Sequence, residues 1–258
     1  WGGSPCEAWT SEEKLKELGF FQETLEKINN NIPKNVIDSW FKTFDSIEIP
    51  KQKHPEDRME NDYEKLEFSD NHLSQYDLDD KKWSEVTLPG RFDSLISKEF
   101  DGVVWLRKNI IIDDVTTDYS LHIGFIDDMD KTYINGKFIG GLSGWGYWNQ
   151  KRQYKIPKSF LNQGKNTISI RAIDTGGPGR FEGVMQLSNE LGKTISIKGS
   201  WKYRPVAEIY KNKFYIYDKE FSISKRPSFL KINPFMPEVL FNSMIYPLIP
   251  YTIKGAIW

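Results

Sequence analysis

The amino-acid sequence predicts a mixed fold, in which an all-β sandwich interrupts the two parts of an α/β domain. Residues 101–183 consist of short extended segments broken by Gly, Pro, Asn and Asp, as in an antiparallel sandwich or jelly roll. Residues 1–44 have helical patterns instead. Residues 254–258 form a short apolar run, which is typical of a buried parallel strand. The ends of the chain are therefore expected to be α/β and the middle β.

The strands of the predicted sandwich follow from alternation and from β-branched and aromatic content. Residues 103–112 alternate between two faces over their whole length, with Val103 and Trp105 on one and Val104 and Leu106 on the other. Asn135-Gly136 is the dipeptide that suits a type I′ turn, so it predicts a hairpin. The predicted strands are residues 103–112, 119–126, 131–139 and 165–173.

Helices are predicted on both sides of this module. Thr10 is expected to cap the first helix, with Glu13 completing a capping box and Gly19 ending it. A second helix should include Leu25 and Ile28, and a third should carry a one-sided apolar face. The apolar positions of the third helix are Val36, Ile37, Trp40, Phe41 and Phe44.

The remaining segments carry weaker patterns. Residues 50–80 are charged and poor in apolar side chains, which indicates a connecting excursion. Residues 213–224 alternate loosely and are expected to form one more strand, and residues 237–244 suit a short helix that begins at a proline.

Composition excludes several classes of function. The chain of 258 residues has 35 basic and 36 acidic side chains without a basic block, so no nucleic-acid partner is expected. No apolar run approaches the ~20 residues that span a bilayer. The single Cys6 does not support a disulfide framework, and a small buried apolar role is favoured over a thiol nucleophile. His54, His72 and His122 lack metal-ligand spacing, so they predict no metal site.

Seven ordered segments make the chain resemble the bacterial sialate O-acetylesterases. They are WGGSPCEAW at residues 1–9, LDDKKWSEVTLPG at 78–90, DGVVWLRK at 101–108, GFIDDMDKTYINGKFIG at 124–140, RAIDTGGPGR at 171–180, GSWKYR at 199–204 and LFNSMIYPLIPYTIKGAIW at 240–258. The resemblance implies a flavodoxin-like SGNH hydrolase domain, interrupted by a jelly roll similar to the sugar-binding domain of glycoside hydrolase family two. The implied reaction is the hydrolysis of O-acetyl esters on sialic acid or other glycans, without a metal or other cofactor, in a periplasmic or secreted protein.

Composition predicts the domain boundaries, and the resemblance implies an incomplete active site. The composition changes on both sides of the β module, so residues 77–204 are expected to be an insert that folds independently. By the resemblance, residues 1–76 would be the first part of the hydrolase domain and residues 205–258 the return. The nucleophilic Ser of the family lies in a GQSN block before a segment like residues 1–9, and its YQGE block and Asp-x-x-His lie after GAIW. None of these blocks is in this chain, so the 258 residues alone are expected to be inactive.

Three sets of residues are candidates for a role at a site. Backbone N–H groups at Gly2, Gly3 and Ser4, before a helix, would hold an oxyanion or substrate, or would only form a tight turn. The carboxylates of Asp127, Asp128 and Asp130 are either a calcium site or solvated turn acids, and the latter is favoured. Aromatic side chains in the loop GGLSGWGYWNQKRQY would stack on a sugar or cap the sandwich. They are Trp145, Tyr147 and Trp148.

Three hypotheses follow from these observations. The chain is a fragment of a carbohydrate O-acetylesterase, a glycan-binding module, or a structural insert. An exposed ring at Trp145, Tyr147 or Trp148 would favour glycan binding. If the ends form neighbouring parallel strands, Gly3 and Trp258 are expected within roughly 15 Å of each other.

Overall fold

The computed structural model describes residues 3–54, 56–92, 100–217, 225–230 and 232–252. The chain forms two compact units. Residues 1–39 and 227–258 make up the first, here called the terminal unit, and residues 40–226 make up the second, here called the sandwich unit.

The sandwich unit contains two antiparallel sheets. In the described residues, the larger sheet has eight strands and the smaller sheet has six. This arrangement is consistent with the predicted jelly-roll sandwich.

Strand bounds agree with the predicted ones most closely in the middle of the chain. The strands are β1 (Asp45–Glu48), β2 (Ser84–Leu88), β3 (Gly90–Arg91), β4 (Gly102–Ile112), β5 (Tyr119–Ile126), β6 (Met129–Ile134), β7 (Lys137–Leu142), β8 (Lys151–Ile156), β9 (Gly164–Asp174), β10 (Arg180–Glu182), β11 (Gln186–Asn189), β12 (Thr194–Ser196), β13 (Gly199–Tyr210) and β14 (Lys213–Ile216). The larger sheet has the order β1-β14-β13-β4-β9-β6-β7, with β2 paired to β13, and the smaller sheet has the order β12-β11-β5-β10-β3, with β8 paired to β5. Asn135 and Gly136 both have positive φ, at 49° and 79°, between β6 and β7. The predicted type I′ hairpin is therefore confirmed.

The main hydrophobic core lies between the two sheets. Val104 and Leu106 of β4 pack there with Leu121 and Ile123 of β5. Val103 and Trp105 of β4 belong to a second cluster, on the opposite face of the larger sheet. The two faces predicted from the alternation of residues 103–112 are confirmed, and both are covered by protein in the first half of β4.

Residues 57–83, here called the covering segment, bury that second face. They include α4 (Glu60–Glu64) and a 3₁₀ turn at Asn71–Ser74. Their apolar side chains join the second cluster, namely Met59, Tyr63, Phe68, Leu73 and Trp83. The prediction of a merely connecting excursion is therefore wrong, because the few apolar residues of this charged stretch are buried on the sheet.

Buried charges attach the covering segment to the larger sheet. Asp70 accepts hydrogen bonds from Trp105 Nε1 and Arg171 Nε, both at 2.7 Å. Arg107, which is 1% exposed, donates to Asp80 at 2.9 Å and to the carbonyl oxygen of Leu73 at 2.7 Å. Each of these arginines would be left unpaired beneath the segment if its partner were removed.

The terminal unit, in its described residues, has helices and turns but no strand. Its helices are α1 (Glu12–Glu17), α2 (Gln22–Asn29) and the start of α3 (Lys34–Phe41), and its C-terminal part has a π-helical turn at Phe241–Ile245. Asn31 joins the two parts, since its side chain exchanges hydrogen bonds of 2.9 and 2.8 Å with the backbone of Leu230. An SGNH-type α/β domain is not shown by these residues.

Several details of the terminal unit differ from the sequence-based expectation. Ser11, not Thr10, caps α1, and its Oγ accepts from the backbone N–H of Lys14 at 3.3 Å. Thr10 instead follows the 3₁₀ turn at Cys6–Trp9, and its hydroxyl donates to the carbonyl oxygen of Cys6, the first residue of that turn. Gly19 follows α1 with a φ of 71°, as predicted. The expected strand at residues 254–258, and with it the distance from Gly3 to Trp258, lies outside the described residues.

No helix in the described ranges is long and apolar enough to cross a membrane. The predicted boundaries of the insert, at residues 77 and 204, stay a prediction. Strand pairing continues beyond both of them, since β1 pairs with β14 and β14 pairs with β13.

Candidate functional site

A cleft of about 200 Å³ lies at the end of β5, on the outward face of the smaller sheet. Its position follows from the strand register. Ile126 pairs with Phe181, and both are buried in the core, so the neighbouring pair of Phe125 and Glu182 points outward. The lining combines two aromatic rings with polar and charged groups, supplied by Phe125, Asp127, Trp148, Asn149, Arg180 and Glu182.

The loop that carries Trp148 runs from the end of β7 to the start of β8 and is anchored on the covering segment. Gly144 sits so close to this segment that a Cβ on it would lie 2.2 Å from the carbonyl oxygen of Arg58. The same carbonyl accepts from the backbone N–H of Trp145 at 2.8 Å. Tyr147 donates to Glu60, and its ring lies 4.9 Å from the Arg58 guanidinium. Contacts of residues 144–147 with Arg58 and Glu60 therefore anchor the loop, and Trp148, the next residue, is exposed.

Arg152 connects this loop to the turn after β5. Its Nη1 donates to the carbonyl oxygens of Tyr147 and Gln150, and its Nη2 donates to that of Asp128, each at 2.5 Å. Its Nε donates to Asp130 at 2.9 Å, and neither side chain of this ion pair is exposed. One buried cation thus fixes both backbone segments that border the cleft.

The electrostatics of the cleft centre on Asp127. Burial, a hydrogen bond with Asp128 and the charge of Asp128 together raise the pKa of Asp127 to about 7, although Arg180 and Arg152 oppose the rise. Arg180 also pairs with Glu182 at 3.3 Å. Near neutral pH the cleft therefore offers a carboxyl group that can donate or accept a hydrogen bond, beside a guanidinium that only donates.

The structure separates the three predicted aromatic residues. Trp148 is 52% exposed and lines the cleft. Trp145 is 39% exposed but is not among the lining residues. Tyr147 is occupied by Glu60 and Arg58, so its ring serves to anchor the loop.

The predicted N-terminal site is only partly described. Gly2 lies outside the described residues. Gly3 has a φ of 102° and open space around it, and Ser4 is half-buried before the 3₁₀ turn at Cys6–Trp9. A substrate or oxyanion contact at Gly2, Gly3 or Ser4 stays a prediction. Cys6 is exposed, so the expectation that it is buried is wrong.

The acidic turn does not match the favoured alternative of solvated acids. Asp130 is buried with Arg152, and Asp128 accepts from the backbone N–H and the hydroxyl of Thr175 at 3.0 and 2.6 Å. The calcium alternative finds no support in the described part of the chain, where no three His, Cys, Asp or Glu side chains are grouped suitably for a metal ion.

The histidines are dispersed, as their spacing predicted. His54 and His72 are exposed. His122 lies on the outward face of the smaller sheet, where its Nε2 is 2.9 Å from Ser188 Oγ. The hydrogen bonds found in the described residues give this Ser–His pair no carboxylate partner, so it lacks the orienting group of a hydrolase triad.

Sequence reasoning missed four members of the cleft in this role, namely Phe125, Asn149, Arg180 and Glu182. Arg180 and Glu182 flank the buried Phe181, so alternation about that residue would have placed both on one face. The pairing of β10 with β5 could not be found this way, because the two strands are separated by more than 50 residues of chain.

No protein-family model matches the chain, and no curated protein matches it. Among solved structures it is similar to a β-glucuronidase of Bacteroides uniformis, at 19% identity over 55% of this chain and 17% of that chain, with a TM-score of 0.36. An α-L-rhamnosidase of Streptomyces avermitilis complexed with L-rhamnose is similar at 15% identity over 52% and 13%, with a TM-score of 0.35. A β-glucuronidase of Bifidobacterium dentium complexed with coumarin-3-O-glucuronide is similar at 14% identity over 50% and 19%, with a TM-score of 0.33. The chain thus spans no more than about a fifth of the length of these three proteins.

Proposed function

We propose that the sandwich unit is a glycan-binding module, with the cleft at the end of β5 as its binding site. The observation that carries this proposal is the placement of the exposed Trp148 ring in one cleft with Asp127, Arg180 and Glu182. An aromatic face covers the apolar side of a sugar ring, and the charged groups hydrogen-bond to its hydroxyls.

The geometry favours binding over a purely structural role for the loop. A tryptophan that only caps a sandwich is buried against the core, whereas about half of the Trp148 side chain is exposed to solvent. The buried Arg152 fixes the loop through the carbonyl oxygens of Tyr147 and Gln150, so the loop conformation does not depend on packing of the Trp148 ring. A pre-formed site also loses little conformational entropy on binding.

The test is calorimetric titration of the full chain with neutral, uronate-containing and sialic-acid-containing oligosaccharides. We expect binding of at least one class, and we expect Trp148→Ala to weaken it about fivefold, since one stacked ring contributes roughly 1 kcal/mol. Trp145→Ala is the matched control, because Trp145 is exposed but does not line the cleft. Equal affinity of the Trp148→Ala variant and the wild type, or no binding of any class, would remove this proposal.

A second candidate, an O-acetylesterase fragment, rests on the seven segments that resemble the sialate O-acetylesterases. In this proposal the chain contributes the glycan-binding part, and the catalytic Ser and His are supplied from outside it, in a periplasmic or secreted enzyme.

The esterase candidate predicts that the chain alone does not hydrolyse aryl acetates or O-acetylated sialic acid above background. The reason is that a hydroxyl without a positioned base is a weak nucleophile. Release of acetate is the measurement, with Ser188→Ala as the control for the Ser188–His122 pair. Turnover that is lost in Ser188→Ala or Ser4→Ala would show that this chain carries its own nucleophile.

A further inference from the structure

We propose that the sandwich unit has a second saccharide site, in the groove between the β6–β7 hairpin and the covering segment. This site is separate from the cleft at Trp148 and shares none of its lining residues. Its existence does not depend on the first site, because different strands and loops form it.

The groove has a volume of about 610 Å³, which is within the usual range for small-ligand sites. Phe138 of β7 forms its aromatic surface and is 55% exposed. The ring of Tyr133 supports Phe138 edge-on at a centroid distance of 5.6 Å, and the buried Trp105 supports Tyr133 at the same distance. The exposed ring is thus the outermost of three aromatic rings that continue into the protein.

Polar side chains line the rest of the groove. Asn71, His72 and Gln75 come from the covering segment, and Lys131 comes from β6. The turn at Gly136 lies against Gln75, since a Cβ on Gly136 would be 3.6 Å from its Cα. This contact holds the two walls of the groove at a defined separation.

The chemistry of the lining fits a saccharide. Amide and imidazole groups both donate and accept hydrogen bonds, as paired sugar hydroxyls do, and the Phe138 ring suits the apolar side of a sugar. Lys131 is half-buried, and among the described residues its Nζ donates to the carbonyl oxygen of Glu64 at 3.4 Å. Burial and the neighbouring Arg171 lower the pKa of Lys131, so hydroxyl oxygens that solvate its ammonium group are favoured there.

Binding stoichiometry distinguishes this site from the first. Calorimetry of the full chain with the oligosaccharide panel is expected to give two sites per chain. Phe138→Ala and Trp148→Ala should each weaken one site about fivefold or more and leave the other at its original affinity, and the double variant should retain neither site at its original affinity. Phe20→Ala is the matched control, because Phe20 is an exposed ring of the terminal unit.

Two further arms make the outcome decisive. Gln75→Ala removes an exposed amide without touching the aromatic rings, so it should weaken the same site even if Phe138→Ala alters the hairpin. One site per chain that is lost only in Trp148→Ala would overturn the second site and leave the first. One site that is lost only in Phe138→Ala and Gln75→Ala would support the second site and remove the first.

Discussion

Asp174, at the end of β9, is a buried carboxyl group with one unsatisfied oxygen. Its side chain is fully buried, and its Oδ1 accepts from the backbone N–H of Gly176 at 3.0 Å. Its Oδ2 has no hydrogen-bond partner among the described residues. Burial, with smaller effects from the charges of Asp101, Asp128 and Asp127, raises the pKa of Asp174 to about 9, against the opposing effect of the Gly176 N–H. The folded protein therefore holds a proton on Asp174 at neutral pH.

This protonated group predicts that stability falls as the pH rises. Between the usual pKa of 3.8 and the folded value of about 9, the folded chain holds a proton that the unfolded chain releases, so a higher pH favours unfolding. Asp174→Asn removes the titration while keeping the shape of the side chain. We expect the midpoint temperature of the wild type to fall more between pH 5 and pH 8.5 than that of the variant. The difference should be at least about 2–4 °C, equivalent to roughly 1 kcal/mol in a unit of this size.

Asp118→Asn provides the comparison for this experiment, because Asp118 is at the surface and its pKa is lowered, first by the N–H of Lys158. The variant should retain the alkaline loss of stability. Identical pH profiles for Asp174→Asn and the wild type would mean that Asp174 is ionised in the folded protein.

The sequence predicts strands well where side chains alternate and poorly where burial depends on distant partners. β4 and β5 were predicted because they are long and their alternation is clear, and the β6–β7 hairpin because Asn135-Gly136 selects its turn. The covering segment was missed as a packing element because its buried residues are widely spaced. Their common surface exists only after the larger sheet has formed.

The candidate sites show the same division. The aromatic loop could be recognised from its composition, but the sequence did not show which ring would face the cleft. The orientation of the rings depends on Arg152 of β8, which fixes the loop by donating hydrogen bonds to its backbone carbonyl oxygens. The acidic turn was predicted to be solvated because a carboxylate in a loop usually is, and the pairing of Asp130 with Arg152 spans 22 residues. The groove at Phe138 needs a contact between residues 71–75 and the hairpin, which no local pattern contains.

The sandwich unit is larger than the insert that the sequence predicts. Residues 40–76 contribute β1 and most of the covering segment, and residues 205–226 contribute β14 and the end of β13. Glu208 of β13 is fully buried and accepts from Arg226 at 2.7 and 2.6 Å. Both flanks belong to the compact sandwich unit.

The two possible boundaries lead to different expectations for isolated segments. Residues 40–226 keep both apolar clusters and the ion pairs of Asp70 and Asp80 that attach the covering segment, so we expect one cooperative thermal transition. Residues 77–204 lose Asp70, which leaves the buried Arg171 without its partner, and they expose Val103, Trp105 and the rest of that sheet face. Breaking a buried ion pair in this way costs about 3–5 kcal/mol, a large part of the stability of an ordinary domain. We therefore expect the shorter segment to aggregate or to melt without cooperativity.

Calorimetry of both segments is the measurement, and a cooperative transition of residues 77–204 at the midpoint temperature of residues 40–226 would show that the flanks are not needed for folding.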